Sequence, residues 1–187
     1  IRTNEFKAIC MYTNLFDNLK RLYLLPEQTF HEQSADGVSY FPSEALSQKG
    51  FQEHCTWEKT LALNLVSNKG LTRALIIDFD GVAHGRGENH WKALKRLYEA
   101  LTQELGLPAP AISISGRKGY GLWISLAEPI PVAQAQAFLR NLRSVYLSDI
   151  PKGEIDLRPD CVEPTNAAQA VVKLPPCLHR SNKKWSA

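Results

Sequence analysis

The stretch Leu75-Ile76-Ile77-Asp78-Phe79-Asp80-Gly81 joins a hydrophobic run to two carboxylates and a glycine. The apolar run predicts a buried β-strand. Because side chains alternate along a strand, Asp78 and Asp80 should lie on the same face at its end. Paired carboxylates in that position suit one or two Mg²⁺ or Mn²⁺ ions. The alternative is that the pair only ends the strand and caps the loop that follows.

Upstream of this strand, the apolar run Leu61–Val66 is separated from Ala74–Phe79 by Asn68-Lys69-Gly70, which predicts a hairpin of two buried strands. Residues 4–25 have apolar side chains at three-to-four spacing and predict an amphipathic helix that ends before Pro26. Residues 27–56 are polar and irregular, and we expect a loop region that could include one short helix.

Downstream, the pattern predicts two further helices and four further strands. The helices run from Trp91 to Leu105 and from Val132 to Tyr146, and the strands cover residues 111–115, 122–126, 154–157 and 170–174. This order favours an α+β fold in which helices pack on one side of an RRM-like antiparallel sheet.

A third acid is needed to complete a two-metal site, and Asp156 lies on a later predicted strand. It alternates there with Glu154 and Arg158, so a structural salt bridge is the competing interpretation. The segment Ser113–Gly119 forms a strand-to-strand turn that places Ser115, Arg117 and Lys118 where backbone N–H groups and cations can hold phosphate. A plain hairpin would have the same composition.

Basic residues gather near the end of the chain. Lys173, His179 and Arg180 follow or end a predicted strand, within reach of a triphosphate or of a template backbone. A solvated basic surface is the alternative. The net charge of +3 is too small to identify a nucleic-acid partner by itself.

Composition indicates an ordinary globular protein, since 44% of the 187 residues are hydrophobic. No window approaches the roughly 20 apolar residues of a membrane span, and residues 1–4 lack a secretory pattern. We therefore expect a cytoplasmic protein with no membrane partner. Because the first residue is Ile1, we expect a piece of a larger polypeptide.

Four cysteines, Cys10, Cys55, Cys161 and Cys177, are far apart and form no Cys-x-x-Cys pair. This spacing favours buried free thiols over a zinc ribbon or a redox site. A zinc site from Cys161, Cys177 and His179 with a distant fourth ligand is the alternative.

Taken in order, these motifs resemble the archaeo-eukaryotic primase (AEP) superfamily, especially small bacterial primase-polymerases of mobile elements and defence systems. The resemblance covers about residues 61–184. It implies that Asp78 and Asp80 form the first motif and Asp156 the third, and that the three hold the catalytic ions. It also implies that Lys173 and His179 bind phosphate. The second motif corresponds to Ser115–Trp123, where Gly121 stands in place of the family's usual histidine.

The resemblance implies an RRM-like catalytic core over residues 61–187, with residues 1–60 as the helical and irregular part of an N-terminal α/β module, in one compact unit. It implies a primase-polymerase that uses two Mg²⁺ or Mn²⁺ ions. The enzyme would join NTPs or dNTPs to a primer or an initiating nucleotide on a single-stranded DNA template. A helicase or other fused domains are the implied further partners, and a bacterium or a mobile element the implied source.

Two rival functions fit parts of the sequence. The segment Ile77–Val82 also resembles the first motif of haloacid-dehalogenase-type phosphatases, with Asp78 as the nucleophile and Asp80 as the acid/base. Against this, about seventy residues precede Asp78, whereas that fold usually places its nucleophile near the start. The second rival is a primase-like domain that binds nucleotide or single-stranded DNA without turnover, which Gly121 favours.

Overall fold

The computed structural model describes residues 2–26, 28–35, 37, 39–43, 45–79, 87–115, 119–160, 171–179 and 184–187, with backbone alone for 2–12, 87, 88 and 179. The helices are α1 (Arg2–Tyr23), α2 (Gln48–Cys55), α3 (Gly87–Glu99), which continues as a π-helical turn (Ala100–Glu104), and α4 (Val132–Tyr146). The strands are β1 (Phe30–Gln33), β2 (Tyr40–Ser43), β3 (Leu61–Asn64), β4 (Leu71–Phe79), β5 (Ala111–Ile114), β6 (Tyr120–Pro131), β7 (Ile155–Arg158), β8 (Val171–Lys173), β9 (Cys177–His179) and β10 (Lys184–Ser186). Among these helices, none has the length and apolar character needed to cross a bilayer.

The strands form two four-stranded antiparallel sheets and one hairpin. The first sheet has the order β2-β1-β3-β8, and the second has the order β5-β6-β4-β7. The hairpin pairs β9 with β10. Helices alternate with these antiparallel strands, so the predicted α+β class is confirmed.

One face of the second sheet packs on helices. Leu75, Ile77 and Phe79 alternate along β4 and are fully buried in one cluster with Leu94 of α3 and Leu139 of α4. Burying each such side chain stabilises the fold by roughly 1.5–3 kcal/mol. Because these three side chains face the helices, the residues between them, including Asp78, face the opposite side of the sheet.

The opposite face of the second sheet packs toward the first. Ala74 and Ile76 of β4 share a cluster with Trp123 of β6 and Phe51 of α2. Asp78 is the next β4 residue on that face, because side chains two apart point the same way. The carboxylate therefore lies at the end of an apolar surface, between the two sheets.

The β9–β10 hairpin and the residue after it contact the second sheet and the segment that follows α2. The backbone of Ala187 exchanges two hydrogen bonds with Ile114 of β5, at N–O distances of 2.6 and 3.0 Å. Beside it, the indole of Trp185 lies 4.9 Å from that of Trp57, which follows α2. The hairpin thus links β5 to the chain around α2.

Two predictions about organisation are wrong. Residues 61–66 and 74–79 do not form a hairpin, because β3 joins the first sheet and β4 the second. Residues 27–56 are not mainly loop, since they contain β1 and β2 as well as α2, which is the one short helix that the sequence allowed. β1 is short and pairs on both sides, so its burial depends on neighbours that local composition does not show.

Other elements agree with the sequence patterns. The helix predicted for Val132–Tyr146 is α4, which follows Pro131 and buries Val132, Ala135, Leu139 and Leu142 at helical spacing. Cys55 and Cys177 are buried free thiols as predicted, while Cys161 lies outside the described residues and the side chain of Cys10 is not described. The division into residues 1–60 and 61–187 stays a prediction.

Candidate functional site

Four polar or small residues form a row across the second sheet. Asp78 of β4 pairs with Gly121 of β6 on one side and with Asp156 of β7 on the other. Gly121 in turn pairs with Ser113 of β5. Direct partners in an antiparallel sheet share a face, so the row Ser113, Gly121, Asp78, Asp156 points toward one side of the sheet.

Asp78 and Asp156 are thus brought together from segments far apart in the chain. Directly opposed residues have Cβ atoms about 4.5–5.5 Å apart, and two like charges in that position destabilise a sheet. The Asp156 side chain is 62% exposed and lies 3.5 Å from Arg158, measured from Oδ2 to Nη2. Arg158 also binds Asp160, at 3.1 Å between Nη1 and Oδ2, so its charge is shared between two acids.

This pair fits a divalent cation. Carboxylate oxygens are the ligands that Mg²⁺ and Mn²⁺ prefer, and a cation between them would remove their repulsion. Within the described ranges, no cluster of three or more His, Cys, Asp or Glu side chains has metal-binding geometry. The third predicted ligand, Asp80, lies outside those ranges.

Three members of the row, Ser113, Gly121 and Asp78, line a cleft of about 240 Å³ between the two sheets. The second sheet contributes Asp78, Ser113, Gly121 and Arg158 to its walls, together with Ser115 from the following turn. The remaining lining residues include Tyr40, Val171, Val172, Lys173, Pro175 and Ser186. One carboxylate, several hydroxyls and the cationic residues Arg158 and Lys173 therefore share one concave space.

Lys173 comes to this cleft from β8, where it pairs with Ala62 of β3. Burial lowers the pKa of its ammonium group from the ordinary value, and the nearby Cys177 thiol acts in the opposite direction. A partly desolvated ammonium gains more from a bound anion than an exposed one would. The position suits a phosphate group held near Asp78.

Ser115 closes the turn between β5 and β6. Its Oγ accepts a hydrogen bond from the Gly119 N–H at 2.8 Å, and its backbone N–H donates to the Gly119 carbonyl at 2.8 Å. A Cβ on Gly119 would lie 2.9 Å from the Phe79 carbonyl oxygen, so only glycine permits this approach. Arg117 and Lys118 lie outside the described residues, and only the backbone of His179 is described, within β9.

The position of Gly121 is filled by its neighbours. A Cβ there would lie 2.5 Å from Ser113 Oγ and 3.1 Å from Trp123 Nε1. These two atoms are joined by a hydrogen bond of 2.9 Å, in which the indole donates. The side chains of β5 and β6 therefore occupy the space that a larger residue at 121 would need.

Sequence reasoning did not assign a role in the site to several lining residues. Ser113 and Trp123 could have been found, because each lies two residues from a motif position and so shares its face. Tyr40 had no such signal, since it falls in a segment of irregular pattern. Burial, together with the nearby Cys177 thiol, raises the pKa of Tyr40 to about 12, so its hydroxyl remains protonated in the cleft.

No protein-family profile and no curated protein matches the chain. Among solved structures, the polymerase domain of Mycobacterium tuberculosis Ligase D in complex with DNA matches with a TM-score of 0.57 and 13% identity, over 94% of this chain and 77% of that one. The AEP domain of the cyanophage S-2L primase-polymerase matches with a TM-score of 0.51 and 14% identity, over 91% of this chain and 85% of that one. The chain has the AEP-type fold of these two domains, and at these identities the likeness is one of fold alone.

Proposed function

We propose that this chain is the core of a DNA primase-polymerase, which transfers a nucleotidyl group from an NTP or a dNTP to a 3′-hydroxyl on a single-stranded DNA template. The observation that carries the proposal is the opposition of Asp78 and Asp156 beside a cleft that Lys173 also lines. The fold supports it, because one similar structure is a polymerase domain in complex with DNA and the other a primase-polymerase domain.

In this proposal Asp78, Asp80 and Asp156 hold two Mg²⁺ or Mn²⁺ ions. When bound, such ions lower the pKa of the attacking hydroxyl and neutralise charge on the pyrophosphate that leaves. The aspartates fix the place of the reaction at the open end of β4, where Asp156 is exposed to solvent and to incoming substrate. The protein contributes position and electrostatics rather than a covalent nucleophile.

The phosphate chain would lie toward Lys173, with Ser115, Arg117, Lys118 and His179 as further predicted contacts. At about 240 Å³ the cleft is smaller than the roughly 300–1,000 Å³ pockets that enclose a drug-sized ligand. It therefore suits the phosphate end of a nucleotide, with the base and the template strand outside it. A fused helicase or other domains in a longer protein remain part of this proposal, as does a bacterial or mobile-element source.

The test is template-dependent incorporation of labelled ribo- and deoxyribonucleoside triphosphates, with Mg²⁺ or Mn²⁺ and with or without a primer. We expect incorporation by the wild-type chain and its loss in Asp78→Asn, which keeps the size of the side chain but removes the charge. Asp149→Asn is the matched control, because Asp149 pairs with Arg96 and neither residue lines the cleft. Equal activity of Asp78→Asn and wild type would refute the proposal.

Two other results would favour the rival functions. Triphosphate binding without incorporation would indicate a non-catalytic nucleotide-binding domain. Release of inorganic phosphate from a phosphomonoester, lost in Asp78→Asn, would indicate a phosphatase instead.

A further inference from the structure

The row beside Asp78 contains a hydroxyl with no role in the proposal so far. Ser113 lines the cleft on the same face as Asp78, two strands away. Between them stands Gly121, which has no side chain. The Ser113 Oγ lies only 2.5 Å from where a Gly121 Cβ would be, so the hydroxyl reaches over Gly121, the residue that separates it from Asp78.

The direction of this hydroxyl is set by Trp123. The indole Nε1–H donates to Ser113 Oγ at 2.9 Å, and the Trp123 side chain is only 4% exposed. Its ring also packs edge-on against Tyr23, with centroids 5.7 Å apart. Because Ser113 Oγ accepts from a fixed donor, its own O–H is left to donate elsewhere.

We propose that the Ser113 hydroxyl donates a hydrogen bond to the phosphate chain of a nucleoside triphosphate bound beside Asp78. This inference rests on the proposed function and assigns a substrate contact to β5. A serine hydroxyl stays neutral and donates at any physiological pH, whereas an imidazole in the same row would titrate near its ordinary pKa of about 6.5. The contact from Ser113 is thus independent of side-chain protonation.

The competing explanation is structural. A buried indole N–H needs an acceptor, and Ser113 supplies one. Both explanations predict that Ser113→Ala weakens the protein, so stability alone cannot separate them. The two differ when the indole N–H is removed as well.

The experiment measures binding of a non-hydrolysable nucleoside triphosphate in Mg²⁺ by calorimetric titration, which needs no turnover. It compares wild type, Ser113→Ala, Ser113→Thr, Trp123→Phe and the double variant Trp123→Phe/Ser113→Ala. A hydrogen bond to a charged acceptor predicts roughly ten- to hundredfold weaker binding for Ser113→Ala. Ser113→Thr keeps the hydroxyl and should retain most of the affinity.

The decisive comparison uses the Trp123→Phe background. This variant has no indole N–H, so Ser113→Ala cannot leave a buried donor without an acceptor. The inference predicts that Ser113→Ala still weakens binding there. If the loss disappears in that background, or if Ser113→Ala binds as wild type does, Ser113 is only a partner of Trp123 and the proposed function stands without it. If wild type binds no triphosphate, both proposals fall together.

Discussion

An alanine at residue 121 tests how tightly the row is packed. Its Cβ would lie 2.5 Å from Ser113 Oγ, closer than real contacts allow, and 3.1 Å from Trp123 Nε1. Rotating the Ser113 hydroxyl away relieves the closest contact, but it breaks the 2.9 Å hydrogen bond from the Trp123 indole. Since Trp123 is 4% exposed, water cannot readily replace that acceptor.

The magnitude follows from two opposing effects. A buried donor left without a partner costs about 1–3 kcal/mol. Replacing glycine by alanine returns about 0.4–1 kcal/mol, because the unfolded chain has less freedom to lose. We expect a net loss of about 1–2 kcal/mol in the free energy of unfolding, and therefore a fall of about 2–8 °C in Tm for a chain of this size.

Urea unfolding and calorimetric melting measure this loss. Gly153→Ala is the matched control, since no atom lies within 4 Å of a Cβ at that position, and its stability should be unchanged or slightly higher. In a Ser113→Ala background the hydroxyl is absent and the indole already lacks its acceptor, so adding Gly121→Ala should cost little more. Packing against Ser113 does not limit residue 121 if Gly121→Ala is as stable as Gly153→Ala, or if the full loss of stability persists without the Ser113 hydroxyl.

Three further predictions concern the cleft and its support. In metal-free buffer Asp156→Asn should stabilise the fold by up to about 1 kcal/mol by removing a like-charge pair, and the rise in Tm that Mg²⁺ gives wild type should vanish in this variant. Lys173→Met should raise the KM for the triphosphate, while Lys173→Arg retains binding. Because burial lowers the pKa of Lys173, its ammonium group should lose its charge as pH rises, and affinity should decrease before the pH reaches the ordinary pKa of lysine. His54 accepts from the Leu61 N–H on Nδ1 at 2.9 Å and donates from Nε2 to the Leu174 carbonyl at 2.8 Å, and burial lowers its pKa. The unfolded chain then binds the proton more readily, so stability should fall as pH drops below about 6.5, and urea titrations of His54→Gln should show a flatter profile.

Local sequence patterns were enough to predict the strands that carry Asp78 and Asp156 and the helix at residues 132–146. The apolar run ending at Asp78 is buried on both faces of its strand, and residues 132–146 bury a single stripe at helical spacing. In both cases the local pattern predicted the element that forms. The position of Asp156 on a strand was also predicted correctly. What these patterns lack is the identity of the neighbouring strand, because a strand buried on both faces packs equally well beside several partners.

Strand pairing was therefore left to the tertiary structure. β3 and β4 are neighbours in the chain but belong to different sheets, and β8 returns across more than a hundred residues to pair with β3. That pairing carries Lys173 into the cleft that Asp78 faces. No local signal encodes it, since it depends on which combination of contacts buries the most apolar surface.

Gly121 shows the same division at one residue. In the sequence it departs from the histidine that the resemblance to the primase superfamily implies, and nothing adjacent to it explains the change. In the fold its Cβ position is taken by Ser113 from the next strand and by Trp123, whose ring is held against α1. Amino-acid order thus defines the strand and the acids at its end, while the space beside them is set by side chains that meet only when the sheet is assembled, because packing in a protein interior is dense and non-local.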